Sequence, residues 1–178
     1  GRRKRPEYVI HGKISNKIVG RPALDLPPGP GRFRSMEPKT PLAPSPGLLA
    51  VVRGLGAAGH AAWAVGGAVR DGLQGARATD WDVATDARPE VVRGLFERTH
   101  SVGIEHGTVG VHAEDEIVEV TTFRTDVATD GRHAEVRFGA SLEEDLARRD
   151  FTINAIAWDP LSGEVADPWD GRGDLARG

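Results

Sequence analysis

The stretch AAWAVGGAVRDGLQGARATDWDVAT, Ala61–Thr85, decides the fold class. Ala61–Val65 reads as a short apolar strand that Gly66 and Gly67 bring to an end, and Ala68–Leu73 as a short helix. Gly75–Thr79 reads as a turn and Trp81–Thr85 as a second strand. The glycine pair allows close backbone approach, and a helix N-terminus presents free N–H groups to an anion. Arg70 follows within the first turn, with a guanidinium suited to phosphate oxygens. The plain alternative is a glycine turn ahead of a surface helix. No Gly-Lys-Ser/Thr follows, so this is not a P-loop, and the G-x-G-x-x-G spacing of a dinucleotide site is missing.

The second strand carries Asp80 and Asp82. On an extended strand both point to one face, with Cα atoms ~6.6 Å apart, while Trp81 and Val83 point to the other. Two carboxylates at that spacing can converge on a hard cation, and Mg²⁺ favours a couple of carboxylates completed by substrate phosphates and water. A solvated strand edge is the competing reading. A third segment, LARRDFTINAIAWD (Leu146–Asp159), offers Arg149 as a ligand for phosphate or ribose hydroxyls, with Asp150 orienting it; an ordinary exposed ion pair is the alternative.

Outward from these segments, Ser45 and Pro46 open a helix with Leu48, Val51, Val52 and Leu55 at helical spacing. Pro89 opens another, with Val91, Val92, Leu95 and Phe96 expected on its buried face. Thr108–His112 and Ile117–Phe123 are strand candidates separated by the polar turn AEDE. Glu119 shares a strand face with Ile117 and Thr121, so it is a weaker third carboxylate candidate approaching from a neighbouring strand; a salt bridge to an arginine is the equal alternative. Arg124–Glu135 reads as a charged loop, Ser141 and Glu144 form a capping box, and Glu164–Ala166 is a last short strand. The irregular alternation fits an α/β or α+β sheet rather than a helical bundle.

Composition sets limits on all of this. The 178 residues suit one ordinary domain. With no cysteine, a disulfide framework and cysteine-ligated zinc or iron–sulfur sites are excluded. No apolar run approaches the ~18–20 residues of a membrane span, and the basic N-terminus has no apolar core after it, which points to a cytoplasmic chain. Residues 1–35 hold nine Lys/Arg against two Asp/Glu, whereas 36–178 hold fourteen against twenty-four. Nine of the twelve prolines fall in residues 1–46. Residues 1–46 are therefore expected to be a disordered basic tail and 47–178 the folded domain. Met36, the one methionine, is a candidate natural start, and Arg2–Arg5 a candidate nucleic-acid arm.

Three ordered blocks carry a family resemblance: GGAVRDGLQG (Gly66–Gly75), DWD (Asp80–Asp82) and RRDFTINA (Arg148–Ala155). With GIEHGTVGV, VEVTTFRTD and DPWDGRGDL in the same order, the chain from about residue 48 to 178 resembles the N-terminal catalytic head of class II tRNA nucleotidyltransferases (CCA-adding enzymes) and bacterial poly(A) polymerases. The resemblance implies the nucleotidyltransferase fold of the DNA polymerase beta superfamily, a small mixed sheet flanked by helices. It also implies roles. Asp80 and Asp82 hold Mg²⁺, with Glu119 a weaker third catalytic candidate. Gly66, Gly67 and Arg70 contact the triphosphate, and Arg149 and Asp150 sit at the ribose. Residues 124–135 correspond to the family's mobile loop. ATP and CTP are the implied nucleotides and a tRNA 3′ end the acceptor, with poly(A) addition as the alternative. The family's helical neck, which selects the base, and its tRNA-gripping domains have no counterpart before Gly178, so the chain is expected to act with a C-terminal domain or partner chain, or else to be an inactive nucleotide-binding remnant.

Overall fold

Ser45 starts the first helix as its sequence requires. Its Oγ accepts the Leu48 N–H at 3.2 Å, and Pro46 occupies the first turn of α1 (Pro46–Ala57). In this computed structural model residues 42–103, 107–129 and 134–178 are described, and all of them belong to a single compact unit. Met36 and the Arg2–Arg5 run lie outside the described residues. Within the stretch expected to be tail, Leu42 packs against the core, its side chain lying where a Cβ on Gly72 would stand.

The order continues with β1 (Ala62–Val65), α2 (Gly67–Leu73), β2 (Asp82–Thr85), α3 (Pro89–Leu95), β3 (Thr99–Gly103), β4 (Thr108–Ala113) and β5 (Glu116–Thr122). Then come β6 (Arg124–Thr129), β7 (Ala134–Phe138), α4 (Leu142–Ala147), a 3₁₀ turn (Thr152–Asn154), β8 (Ala157–Trp158), β9 (Val165–Ala166) and α5 (Gly171–Arg177). Seven strands form one mixed sheet in the order β3-β4-β5-β2-β1-β8-β9, and β6 pairs with β7 in a separate ribbon. The β2–β5 pairing is parallel and its neighbours are antiparallel. Both faces of the central strands are covered, which is why β1 is apolar throughout. On one face Leu48, Val51, Val52 and Leu55 of α1 and Val92 of α3 pack on Val83, Val109, Val111, Val118 and Val120. On the other, Leu142 and Leu146 of α4 with Phe123 cover Trp63, Val65 and Ala84. The mixed sheet flanked by helices is the architecture expected. Among the described residues no helix is long and apolar enough to cross a membrane.

Three local expectations are corrected, and two elements are added. Asp80 is not on the strand: its φ of 53° is left-handed, and β2 starts at Asp82. In α3, Val91 and Leu95 face solvent at 38% and 40% exposure, while Val92 turns inward. Phe96, already extended beyond the helix, fills the space left by Gly54. The charged loop expected over 124–135 is largely the β6–β7 ribbon, with residues 130–133 outside the described set. Finally, β3 and α5 were not anticipated. Edge strand β3 lacks the buried alternation that marks inner strands. Helix α5 is held by the Asp167 carboxylate, which accepts the N–H groups of Gly171 and Arg172 at 2.7 and 3.0 Å, and by Thr152 donating to Asp174.

Candidate active site

Gly66 lies at the centre of the site. Its φ of 77° and ψ of −146° belong to a region essentially reserved for glycine. A Cβ there would lie 3.3 Å from Asp82 Oδ2 and 3.7 Å from Arg149 Nη1. The missing side chain thus leaves open the gap between an acid and a guanidinium, and α2 starts at its edge with Gly67.

Asp82 and Glu119 are register partners on the parallel strands β2 and β5, so their side chains leave the same face of the sheet side by side. Burial, the neighbouring Glu119 and the charge of Asp80 push the Asp82 carboxyl up to about 6, and the Arg149 guanidinium opposes that rise. Asp80 accepts a hydrogen bond from Thr79 Oγ1 at 3.3 Å. Although Asp80 is off the strand, its charge is felt at Asp82. The structure therefore brings Asp80, Asp82 and Glu119 together, by a tight turn and a strand pairing rather than by alternation along one strand.

Arg149 reaches the site from the end of α4. Its Nη2 donates to Asp145 Oδ2 at 3.2 Å, its Nη1 faces Gly66 and Asp82, and its buried Nε has no hydrogen-bond partner. Asp145 is 1% exposed; its Oδ1 also accepts from Arg148 Nε at 3.2 Å and from the Arg124 N–H at 3.3 Å. The group orienting Arg149 is thus Asp145, not Asp150. Asp150 instead accepts from the Phe151 N–H at 2.9 Å and from Asn154 Nδ2 at 3.3 Å. The difference follows from helical geometry: the turn that carries the chain out of α4 keeps Arg149 over Asp145, four residues back, whereas consecutive residues do not share a face.

Arg70 closes the first turn of the short α2, its N–H donating to the Gly66 carbonyl, and its side chain is already engaged. Its Nε donates to Asp71 Oδ1 and its Nη1 to Asn154 Oδ1, both at 2.8 Å. Asn154 thereby links Arg70 to Asp150. Neither Asp145 nor Asn154 was singled out from the sequence. The Asp145/Arg149 spacing was the available signal for the first; nothing local marked the second.

The donor set suits a hard divalent cation: carboxylates alone, crowded enough to hold one proton against its ordinary release. Among the described residues no three acids or imidazoles close a metal cage by themselves. A cation here would need oxygens from substrate or water as well, which is the habit of Mg²⁺.

A family model described as the poly(A) polymerase head domain matches residues 62–178. The CCA-adding enzyme of Bacillus subtilis (strain 168) is 53% identical over 129 residues, covering 71% of this chain and 32% of the relative. That of Enterococcus faecalis is 52% identical over 127 residues, covering 70% and 31%. Among solved structures, the Bacillus stearothermophilus CCA-adding enzyme in complex with CTP aligns with a TM-score of 0.67 at 46% identity, over 74% of this chain and 31% of that one. A tRNA nucleotidyltransferase complexed with a primer tRNA and an incoming ATP analog aligns with a TM-score of 0.54 at 30% identity, over 71% and 36%. The chain spans about a third of the length of the curated relatives it matches.

Proposed function

Since this chain belongs to the poly(A) polymerase head-domain family, we propose that it is the catalytic head of a tRNA CCA-adding nucleotidyltransferase, transferring nucleoside monophosphate from CTP or ATP to an RNA 3′ end. The observation that carries this is the alignment of Asp82 with Glu119, with Arg149 facing Asp82 across Gly66. CCA addition is favoured over poly(A) addition because the relatives quoted above are CCA-adding enzymes.

In this reading Asp80 and Asp82 hold Mg²⁺, with Glu119 beside them. When bound, Mg²⁺ supplies Lewis-acid stabilisation of the oxygens that gain charge. Gly66 and Gly67 leave room for the triphosphate, and Arg149 Nη1, at the edge of that gap, faces its oxygens. Arg149 and Asp150 border a small cleft with Thr152 and Trp169, where the ribose fits. The RNA 3′-oxygen forms a bond to the α-phosphorus, the α–β bridging bond breaks, pyrophosphate leaves and the hydroxyl proton passes to solvent. The chain contributes positioning and fixed charge, which dominate phosphoryl-type transfers. Choice between C and A, and the grip on tRNA, belong to a C-terminal domain or partner chain, and the compartment is the cytoplasm.

The test is Asp82→Ala in a protein that joins this head to the remaining two thirds of a relative. Loss of a cation ligand should lower transfer by ~10³-fold or more, equivalent to about 4 kcal/mol. Turnover near that of the parent at saturating Mg²⁺ would reject the assignment.

A further inference from the structure

The open face of the sheet does not end at Glu119. The strand registers place Asp82 beside Glu119, Glu119 beside Gly110 and Gly110 beside His100, so the four positions form one row across β2, β5, β4 and β3. Paired residues point to the same face. Gly110 has no side chain, and the His100 imidazole lies in the space a Cβ would take, within 2.8 Å of that position by three ring atoms. The ring also meets His112, with Nδ1 of His100 3.0 Å from Nε2 of His112 and ring centroids 4.9 Å apart. Ile117, the register partner of His112, is 47% exposed beside it.

Beside this row, reached from it through the His100–His112 contact, runs an open groove that joins Asp80 to His112, Ile117 and Arg98. Glu114, Asp115 and Glu116, at the β4–β5 turn, line it too. Arg98 is exposed and has no ion-pair partner among the described residues. The groove is therefore divided, with acids at the turn and at Asp80, and Arg98 just ahead of β3 with the His112 imidazole on β4, backed by His100.

Direction follows from the chemistry. In-line displacement puts the attacking oxygen and the departing pyrophosphate on opposite sides of the α-phosphorus. If the triphosphate lies on the α2 and α4 side, where Gly66 and Arg149 stand, the attacking 3′-oxygen arrives from the β5–β4–β3 side. We propose that the 3′-terminal nucleotide of the acceptor RNA lies in this groove, its base against Ile117 and His112 and its phosphodiester facing Arg98 and His100. Single-stranded RNA is held by rings and apolar side chains against its bases and by cations along its backbone, and the acidic turn keeps that backbone toward β3. This rests on the nucleotidyl-transfer reading above.

The experiment is a nuclear magnetic resonance titration of the full chain, labelled in histidine rings and backbone amides. A short single-stranded RNA with a free 3′-hydroxyl is added in one series and CTP with Mg²⁺ in another. RNA should move the His100 and His112 ring signals and leave His60 in place. His100→Ala/His112→Ala should weaken RNA binding at least fivefold while the response of Gly66 and Gly67 to CTP stays unchanged. Arg98→Gln, at an exposed site, gives a second reading and should weaken RNA binding at least threefold. Unmoved histidines, or equal RNA affinity in all three proteins, with Gly66 and Gly67 still responding to CTP, overturn the groove alone. Silence of Gly66 and Gly67 toward CTP overturns the nucleotidyl-transfer reading and the groove with it.

Discussion

Replacing Asp82 by asparagine should make the chain more stable while disabling its site. The side chain keeps its shape and loses its charge. In the fold the Asp82 carboxyl is pushed up to about 6, chiefly by burial and then by Glu119. The native state therefore binds this proton more tightly than the unfolded chain, whose value is the ordinary 3.8. The associated stability is fully present below pH 3.8 and is lost as pH rises through about 6. The interval between those values corresponds to about 3 kcal/mol at ~1.36 kcal/mol per decade. Asp82 is partly exposed, and solvent screening reduces this to about 1–1.5 kcal/mol. Asp82→Asn should gain that amount at pH 7.5 without divalent cation, a rise of roughly 3–6 °C in melting temperature for a domain of this size. The gain should shrink toward pH 4, where the parent is protonated too, and narrow at pH 7.5 when Mg²⁺ neutralises the parent's carboxylates. Urea and thermal melts at pH 7.5, 6 and 4.5 measure it. A variant no more stable than the parent at pH 7.5, or a gap that ignores pH, would refute the reasoning.

Three further perturbations separate the parts of the site. Asp145→Asn leaves Arg148 and Arg149 without their buried anion and should cost about 3 kcal/mol in urea denaturation; CTP affinity should fall as well, and unchanged affinity would mean that Arg149 needs no such holder. Gly66→Ala forces a side chain into a backbone region that costs about 1–3 kcal/mol and narrows the gap between Asp82 and Arg149, so calorimetry should record weaker binding of CTP with Mg²⁺. Ser141→Ala removes the capping box at α4 and should cost about 1 kcal/mol, with CTP binding intact if that end of the helix lies clear of the nucleotide.

What the sequence revealed was what short-range rules govern. The Ser45 cap, the Gly66–Gly67 break and the Ser141/Glu144 capping box follow from residues a turn apart, and each is where its pattern put it. The bend at Asp80 was hidden because Asp-Trp-Asp is compatible with an extended strand, and only the backbone shows the left-handed residue ahead of β2. Glu119 could be assigned a strand face, but no local pattern fixes the register that sets it against Asp82. The β6–β7 ribbon was masked by its charges, although Thr125, Val127 and Thr129 alternate β-branched residues as strands do. Asp150 drew attention as the neighbour of Arg149 in sequence, whereas the helix makes Asp145 its neighbour in space.

The parallel pairing of β2 with β5 also bears on how the molecule comes to be active. Asp82 and Glu119 lie on either side of α3, β3 and β4 in the chain, so this contact closes a long loop and should fall among the later, slower events of folding. Gly66, Arg70 and Asp82 are near neighbours along the chain and can gather early. A nascent chain would thus carry the glycine gap before it carries its paired acids, and their mutual repulsion would be met last, when enough of the sheet exists to hold them together.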